Sequence, residues 1–108
     1  MTHDVLLTEG AEHDLEEIHD YIVASDSKAS ANHVLDRLLA AIETLVQFPD
    51  RGAHPKELLT LGIRDYRETH FKPYRLIYRV TGHQVLIHLI VDGRRDIQAL
   101  LARRLLGG

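Results

Sequence analysis

The chain has 108 residues, no cysteine and a formal net charge of −3. This length suits one domain, residues 1–108, with a modest hydrophobic core. The lack of cysteine excludes disulfide and thiolate chemistry and is compatible with a reducing compartment. The first residues lack the basic start and long apolar run of a signal peptide, and the longest apolar run, Val85 to Val91, is too short to span a membrane. We therefore expect a cytoplasmic protein that does not enter a membrane.

The charge is distributed unevenly along the chain. Residues 1–50 carry eleven acidic and two basic side chains, a balance of −9, whereas residues 51–108 carry five acidic and eleven basic ones, a balance of +6. Such an asymmetry favours an anionic partner for the C-terminal half. The alternative, with about even odds, is that acidic helices and a basic sheet neutralise each other within the molecule.

Two amphipathic helices follow a short strand candidate at residues 3–7. Thr8 can cap the first helix, whose apolar residues recur at helical spacing as far as Ile22. A polar break at residues 25–27 offers a new cap, and the second helix then continues from Lys28 until Pro49 stops it. Two such helices with a short joint predict an antiparallel helix hairpin.

The second half of the chain predicts three strands and a last helix. Residues 50–62 form a connector, a strand covers residues 63–71, and Lys72-Pro73 turns the chain into the next strand. Asp96 can cap a C-terminal helix that continues to Leu105. The element order is β-α-α-β-β-β-α. We predict an α+β fold in which a small antiparallel sheet carries the helix hairpin on one face, with a short C-terminal helix.

The stretch from Phe71 to Asp96 contains the central β-hairpin. Alternating side chains predict a strand from Tyr74 to Val80 and a second from Val85 to Val91, and Gly82-His83 suits a type II′ loop. This loop pairs Val80 with Val85, Tyr78 with Ile87, Leu76 with Leu89 and Tyr74 with Val91 on one side, and Arg79 with Leu86, Ile77 with His88 and Arg75 with Ile90 on the other. The first side is apolar and suits the core. The second side mixes arginines with aliphatic residues and suits a partner or substrate.

An ordered set of motifs resembles the RelE/ParE superfamily of bacterial toxin–antitoxin toxins. The motifs are Gly62-Ile63-Arg64, Tyr74-Arg75-Leu76-Ile77-Tyr78, the strand Val85 to Val91, Arg94-Arg95-Asp96 and the connector Phe48-Pro49-Asp50-Arg51-Gly52. The likeness covers nearly the whole chain, although Asp92 stands where many relatives have histidine. The resemblance implies a RelE/ParE-like fold, with no cofactor and no metal.

The resemblance implies one of two activities. One branch of the superfamily binds the ribosomal A site and cuts mRNA, whereas the ParE-like branch poisons DNA gyrase without known catalysis. RNA cleavage needs an acid, a base and cations for the developing charge. Arg75 and Arg94 lie where the ribonuclease branch carries catalytic arginines, but residues 97–108 lack the tyrosine or histidine that this branch usually adds. His88 is the best remaining acid–base candidate and His70 the second, since arginine is a poor base.

We therefore favour a non-catalytic ParE-like gyrase poison over a ribonuclease that uses Arg75, His88 and Arg94. A third hypothesis is a non-toxic relative kept for complex formation or autoregulation. Each charged residue also has a structural interpretation. Arg75 and Arg79 could pair with acids of a partner or of the first helix, and Arg95 could pair with Asp92 or Asp96. A lone histidine on a mixed strand face is more often packed or exposed than catalytic.

The mixed face of the hairpin also implies an antitoxin. Ile77, Leu86 and Ile90 would form an exposed apolar patch wherever the last helix leaves them open. By resemblance, an acidic amphipathic segment of a ParD-like antitoxin would cover that patch in a hetero-oligomer. The residues predicted to bind target or antitoxin are Arg64, Arg75, Ile77, Arg79, Leu86, His88, Ile90, Arg94 and Arg95.

Overall fold

The computed structural model describes residues 2–105. Its elements are β1 (Asp4–Leu7), α1 (Glu9–Ser25), α2 (Lys28–Thr44), α3 (Lys56–Leu59), β2 (Tyr66–Phe71), β3 (Tyr74–Thr81), β4 (Gln84–Asp92) and α4 (Ile97–Leu105). The predicted order is confirmed, with α3 as one additional helical turn in the connector. The second predicted strand begins at Tyr66, three residues later than expected. None of the helices among residues 2–105 is long and apolar enough to cross a membrane.

The predicted helix caps are confirmed. The Thr8 hydroxyl accepts a hydrogen bond from the amide of Ala11 at 3.1 Å, and the Ser27 hydroxyl accepts one from Ser30 at 3.0 Å. At the start of α4, the Asp96 carboxylate accepts from the amide of Ala99 at 3.1 Å. Each cap satisfies a backbone donor that the first helical turn leaves unpaired. The second helix ends earlier than predicted. After Thr44 the chain forms tighter turns, in which the amides of Leu45 and Val46 donate to the carbonyl three residues earlier instead of four.

The four strands form one mixed sheet in the order β1-β4-β3-β2. Strands β2, β3 and β4 are antiparallel as predicted, but β1 joins the edge of β4 in parallel and its pairing ends at Leu7 opposite Ile87. The loop between β3 and β4 is Gly82-His83, and Gly82 has a φ of +60° while His83 has a negative φ. This combination agrees with the predicted type II′ turn.

A β-bulge in β4 changes half of the predicted strand pairing. The pairs Val80–Val85, Arg79–Leu86 and Tyr78–Ile87 are confirmed, but Ile77 then faces Leu89, so His88 is an extra residue in β4. The predicted pairs Ile77–His88, Leu76–Leu89, Arg75–Ile90 and Tyr74–Val91 are wrong; Leu76 faces Ile90, Arg75 faces Val91 and Tyr74 faces Asp92. One inserted residue exchanges the two faces for the rest of the strand, because strand side chains alternate with a period of two.

The sheet is covered on both faces. We call the face covered by the helix hairpin of α1 and α2 the hairpin face. It holds a cluster that includes Ala11, Leu38, Leu76, Tyr78, Ile87 and Ile90. The second face, covered by α3 and α4, holds a cluster of Leu58, Tyr66, Ile77, Leu89, Val91, Ile97 and Leu101. Ile90 thus belongs to the hairpin face, and Ile77 is fully covered on the second face. The predicted exposed patch of Ile77, Leu86 and Ile90 is wrong, because the bulge separates Ile90 from Ile77 and because α3 and α4 complete a second core.

The connector after α2 is fastened to the sheet by polar contacts. The buried Tyr78 hydroxyl donates to the carbonyl of Pro49 at 2.7 Å, and Arg67 donates to the carbonyl of Gly52 at 2.8 Å. A Cβ atom on Gly52 would overlap the Glu68 carbonyl and the Tyr78 hydroxyl. Glycine is therefore required here for a close approach of the backbone.

Candidate functional site

A cleft of about 500 Å³ opens between α1, the C-terminal end of β4 and α4. Its apolar wall includes Ile18 and Ile90, and Tyr21 of α1 is 72% exposed beside it. Arg94 and Arg95, in the turn between β4 and α4, also line the cleft and are exposed. A concave, partly apolar opening with a few charged groups is the usual form of a binding site.

An ion pair closes the inner end of this cleft. The buried Asp14 carboxylate accepts two hydrogen bonds from the guanidinium of Arg104, at 2.5 and 3.1 Å. Asp14 also accepts from the amide of Ile90 at 3.0 Å, and Arg104 donates to the carbonyl of His88 at 2.9 Å. The pairing of β1 with β4 ends opposite Ile87. Asp14 and Arg104 therefore bind backbone groups of β4 at Ile90 and His88, which β1 does not reach. They also join α4 to α1, so the shape of the cleft depends on this pair.

A second ion pair lies in the turn after β4. Arg94 donates to both carboxylate oxygens of Asp92, at 3.0 and 2.6 Å, and the Arg94 side chain is 80% exposed. These hydrogen bonds lower the pKa of Asp92 to about 2 and raise that of Arg94. Burial raises the pKa of the nearby Tyr74 hydroxyl, with a further contribution from Asp92. At neutral pH the turn therefore presents a charged carboxylate, a charged guanidinium and a neutral phenol.

Arg75 belongs to a separate charged cluster on the second face. Its guanidinium donates to both oxygens of Glu57 at 2.8 and 2.9 Å and to both oxygens of Glu68 at 2.6 and 3.1 Å. Only 12% of its side chain is exposed. The hydrogen bonds to Glu57 raise the pKa of Arg75 well above its ordinary range, and the same contact lowers the pKa of Glu57. Because both carboxylates hold Arg75 on the protein, a phosphate would have to displace them to reach it.

His88, the bulged residue of β4, packs against an aromatic ring. Its ring centroid lies 5.5 Å from that of Tyr66 in an edge-on arrangement. Burial, assisted by the positive charge of Arg79, lowers the pKa of His88. The imidazole is thus neutral near pH 7, which a general base requires. Its observed contact is that of a half-buried packing residue.

The structure separates the predicted binding residues into three groups. Arg64, Arg79, Arg94 and Arg95 are exposed, Leu86 and His88 are half-buried, and Arg75, Ile77 and Ile90 are engaged in internal contacts. Arg79 lies 3.7 Å from Asp65 with 46% of its side chain exposed. Arg94 and Arg95 share the cleft with Ile90, whereas Arg75 is held in the Glu57–Glu68 cluster on the second face. The predicted binding residues therefore do not share one exposed surface, because Glu57 and Glu68 hold Arg75 in an internal cluster.

Sequence reasoning missed the residues that pair with the arginines. Asp14 occupies the same helical stripe as Ala11, Leu15 and Ile18, so a carboxylate at a position predicted to be buried was the available signal. Glu57 and Glu68 carry no comparable signal, since their proximity to Arg75 arises only when α3 docks on the sheet. Among residues 2–105 no group of three or more His, Asp or Glu side chains is arranged to hold a metal ion.

The protein is a small α+β domain with a helix hairpin on a four-stranded sheet and a cleft beside the C-terminal helix. Comparison with known families identifies the class to which it belongs. The family described as "ParE toxin of type II toxin-antitoxin system, parDE" matches residues 5–97. The chain therefore belongs to the ParE toxin family.

One curated relative and one solved structure resemble the chain over most of its length. Toxin ParE3 of Caulobacter vibrioides is 27% identical over 100 residues, which cover 93% of this chain and 96% of the relative. A solved structure of the chromosomal ParDE TA system from P. aeruginosa has a TM-score of 0.71 and 20% identity, with 84% of this chain and 96% of that chain covered. At this identity the second likeness shows the fold. The predicted α+β fold and the predicted toxin family are both confirmed.

Proposed function

We propose that this ParE family toxin inhibits growth by poisoning DNA gyrase and is neutralised by a ParD-like antitoxin. The observation that carries the proposal is the family match over residues 5–97, which spans every structural element up to the first residue of α4. The proposed action is binding without catalysis. Such an action needs an accessible surface and no activated nucleophile.

The positions of the three ribonuclease candidates support this choice. Arg75 is held by two carboxylates and His88 packs on an aromatic ring, whereas Arg94 is 80% exposed beside Asp92. A ribonuclease would need cations that face the scissile phosphate beside an acid and a base. In the arrangement observed, the best acid–base candidate lies at the bulge while the guanidinium of Arg75 faces Glu57 and Glu68. The mRNA endoribonuclease alternative therefore has weaker support.

The cleft between α1, β4 and α4 is the proposed contact region for the antitoxin. Its exposed arginines, Arg94 and Arg95, complement an acidic segment, and Ile18 with Tyr21 supplies an apolar wall. Arg64, Arg79, Leu86 and His88 would extend the contact over the second face. The antitoxin would neutralise the toxin by covering the residues that meet the target.

Supercoiling of relaxed plasmid by purified gyrase tests the target. Wild-type toxin at micromolar concentration should reduce supercoiling and increase the amount of cleaved DNA trapped on gyrase. The Arg94→Ala/Arg95→Ala variant should need at least tenfold more toxin, while Lys28→Ala, a distant change on α2, should behave as wild type. Unchanged supercoiling and unchanged cleavage with folded wild-type toxin would exclude gyrase as the target.

Primer extension on mRNA after toxin induction tests the alternative. A gyrase poison should leave translated messages intact during the first minutes of growth arrest. Discrete cuts within reading frames, abolished by His88→Ala, would instead support the ribonuclease. Normal growth with high levels of folded toxin and no antitoxin would support the non-toxic relative.

A further inference from the structure

A basic and aromatic surface lies where the C-terminal half of α2, the connector and the end of β2 meet. We call it the Phe48–Phe71 surface; its members are Arg37, Phe48, Arg51, His70, Phe71 and Lys72. The guanidinium of Arg51 lies over the ring of Phe48, 4.0 Å from the ring centroid. That of Arg37 lies over the ring of Phe71 at 5.6 Å. Two arginines are thus supported on aromatic rings in one region of the molecule.

The surface is concave and open. Phe48, Arg51 and His70 line one cleft of about 310 Å³ together with the backbone of Gly52. Phe48, in the turns that follow α2, is 46% exposed, so its ring is accessible to a partner. Lys72 follows Phe71 in the exposed loop between β2 and β3 and adds a third cation. The cleft therefore combines aromatic contact area with positive charge.

Two acidic side chains beside this surface are engaged by arginines outside it. Asp50 lies 4.0 Å from Arg67. Glu68 lines the cleft and lies 3.2 Å from His70, but Arg75 holds its carboxylate with two hydrogen bonds at 2.6 and 3.1 Å. Arg37, Arg51 and Lys72 then contribute three positive charges, in a protein whose residues 1–50 balance to −9. Such a local excess is a candidate contact for a polyanion.

We propose that the Phe48–Phe71 surface binds the sugar–phosphate backbone of DNA. A guanidinium stacked on a ring keeps its N–H edge directed outward, and this edge matches the oxygens of a phosphate. An exposed aromatic ring beside the cations offers a contact for sugars or unstacked bases. The proposal rests on the proposed function for one point only, that the DNA concerned is the segment held by gyrase. An acidic protein surface is the competing occupant.

Fluorescence polarisation with a fluorescein-labelled duplex of about 20 base pairs at about 50 mM salt tests the proposal without gyrase. The Arg37→Gln/Arg51→Gln variant should bind at least tenfold more weakly than wild type. Each lost phosphate contact should also reduce the slope of log K against log salt by about 0.9. The Lys28→Gln/Arg103→Gln variant removes the same charge elsewhere and should change the affinity less than threefold. Circular dichroism should show both variants folded.

Two outcomes would overturn the proposal. In the first, the Arg37→Gln/Arg51→Gln variant binds DNA as the wild type does; if it then also loses affinity for purified ParD-like antitoxin, the surface is assigned to a protein. In the second, both double variants weaken DNA binding equally, which would indicate a general charge effect. Because the polarisation assay contains no gyrase, its failure is distinct from a failure of the wild-type toxin in the supercoiling assay.

Discussion

The two faces of the sheet are closed by different means. The hairpin face is covered by α1 and α2, two helices of 17 residues each, and its cluster is almost entirely hydrocarbon. The second face is covered by the four-residue α3 and the nine-residue α4. There the ion pairs of Arg75 with Glu57 and Glu68 tie α3 and β2 to β3, and Arg104 ties α4 to α1. The shorter helices offer less apolar area, so ion pairs add to the apolar cluster that holds the second face together.

This comparison changes the meaning of the arginines. A strand arginine beside aliphatic residues suggests a binding surface. Arg75 instead joins β3 to α3 and β2 through its ion pairs with Glu57 and Glu68. Arg94 has the same chemistry and the same kind of partner, but it lies in an exposed turn. Burial, rather than residue type or ion-pair geometry, therefore separates a structural arginine from one that is accessible to a partner.

Replacing Arg75 with alanine should have the largest effect on stability. It leaves two partly buried carboxylates without their cation, which costs about 3 kcal/mol when a buried pair loses one partner. Urea denaturation followed by circular dichroism measures this loss. Arg79→Ala is the matched control on the same strand, with 46% of the side chain exposed, and it should cost less than about 1 kcal/mol. Equal effects of the two substitutions would contradict the structural role of Arg75.

A triple substitution can separate unpaired charge from lost packing. Arg75→Met, Glu57→Leu and Glu68→Leu together remove the whole cluster and leave no orphaned charge. Because apolar replacements of a buried ionic cluster are often neutral or stabilising, the triple variant should be within about 1 kcal/mol of wild type. A loss as large as that of Arg75→Ala would instead show that packing of the arginine side chain dominates.

The Asp14–Arg104 pair should make the next largest contribution to stability. Asp14→Asn keeps an oxygen that can accept from the amide of Ile90 but removes the charge that holds Arg104, and we expect a loss of about 2 kcal/mol. Hydrogen exchange should increase in residues 97–105 more than in β3. Glu17→Gln, a change on the same helix at a position 65% exposed, is the control and should leave exchange unaltered. Unchanged protection of α4 in Asp14→Asn would show that its apolar contacts alone hold it.

The contact between Glu57 and Arg75 predicts that the stability of the protein falls in acid. Hydrogen bonds from Arg75 hold the pKa of Glu57 below its ordinary value of 4.5. A carboxyl group with a lowered folded pKa stabilises the protein above its unfolded pKa, and this contribution is lost as the pH falls through the folded pKa. The free energy of unfolding of the wild type should therefore exceed that of Glu57→Gln by roughly 1.5 kcal/mol at pH 7. This difference should shrink below about pH 4.5. A difference that stays constant or grows in acid would contradict this contact.

The fold could be predicted from sequence because its signals are local. Helical spacing, the caps at Thr8, Ser27 and Asp96, and the Gly82 turn each depend on a few neighbouring residues, and the structure confirms them. The bulge at His88 has no such signal. A strand with continuous apolar residues on both sides looks equally suitable in either register, so the alternation alone could not locate the extra residue.

The candidate site was less predictable because it depends on long-range contacts. Asp14 and Arg104 are separated by 90 positions and Glu57 and Arg75 by 18. The sequence supplied the arginines but not their partners, so it could not distinguish an accessible cation from a neutralised one. The resemblance to known toxins identified the family correctly, since an ordered set of motifs is preserved even where individual contacts are not visible in the sequence.

Replacing Arg94 with alanine should have the smallest effect on stability. Its side chain is 80% exposed, so solvent screens the ion pair with Asp92 and its loss should leave the urea midpoint nearly unchanged. The local electrostatic effect should nevertheless be clear. Without the guanidinium, the pKa of Asp92 should rise from about 2 toward its ordinary value of 3.8. An NMR titration of the Asp92 carboxyl group in wild type and Arg94→Ala measures this directly. If the substitution destabilised the protein as much as Arg75→Ala does, exposure would not be what separates the two arginines, and the contrast between the exposed turn and the second face would fail.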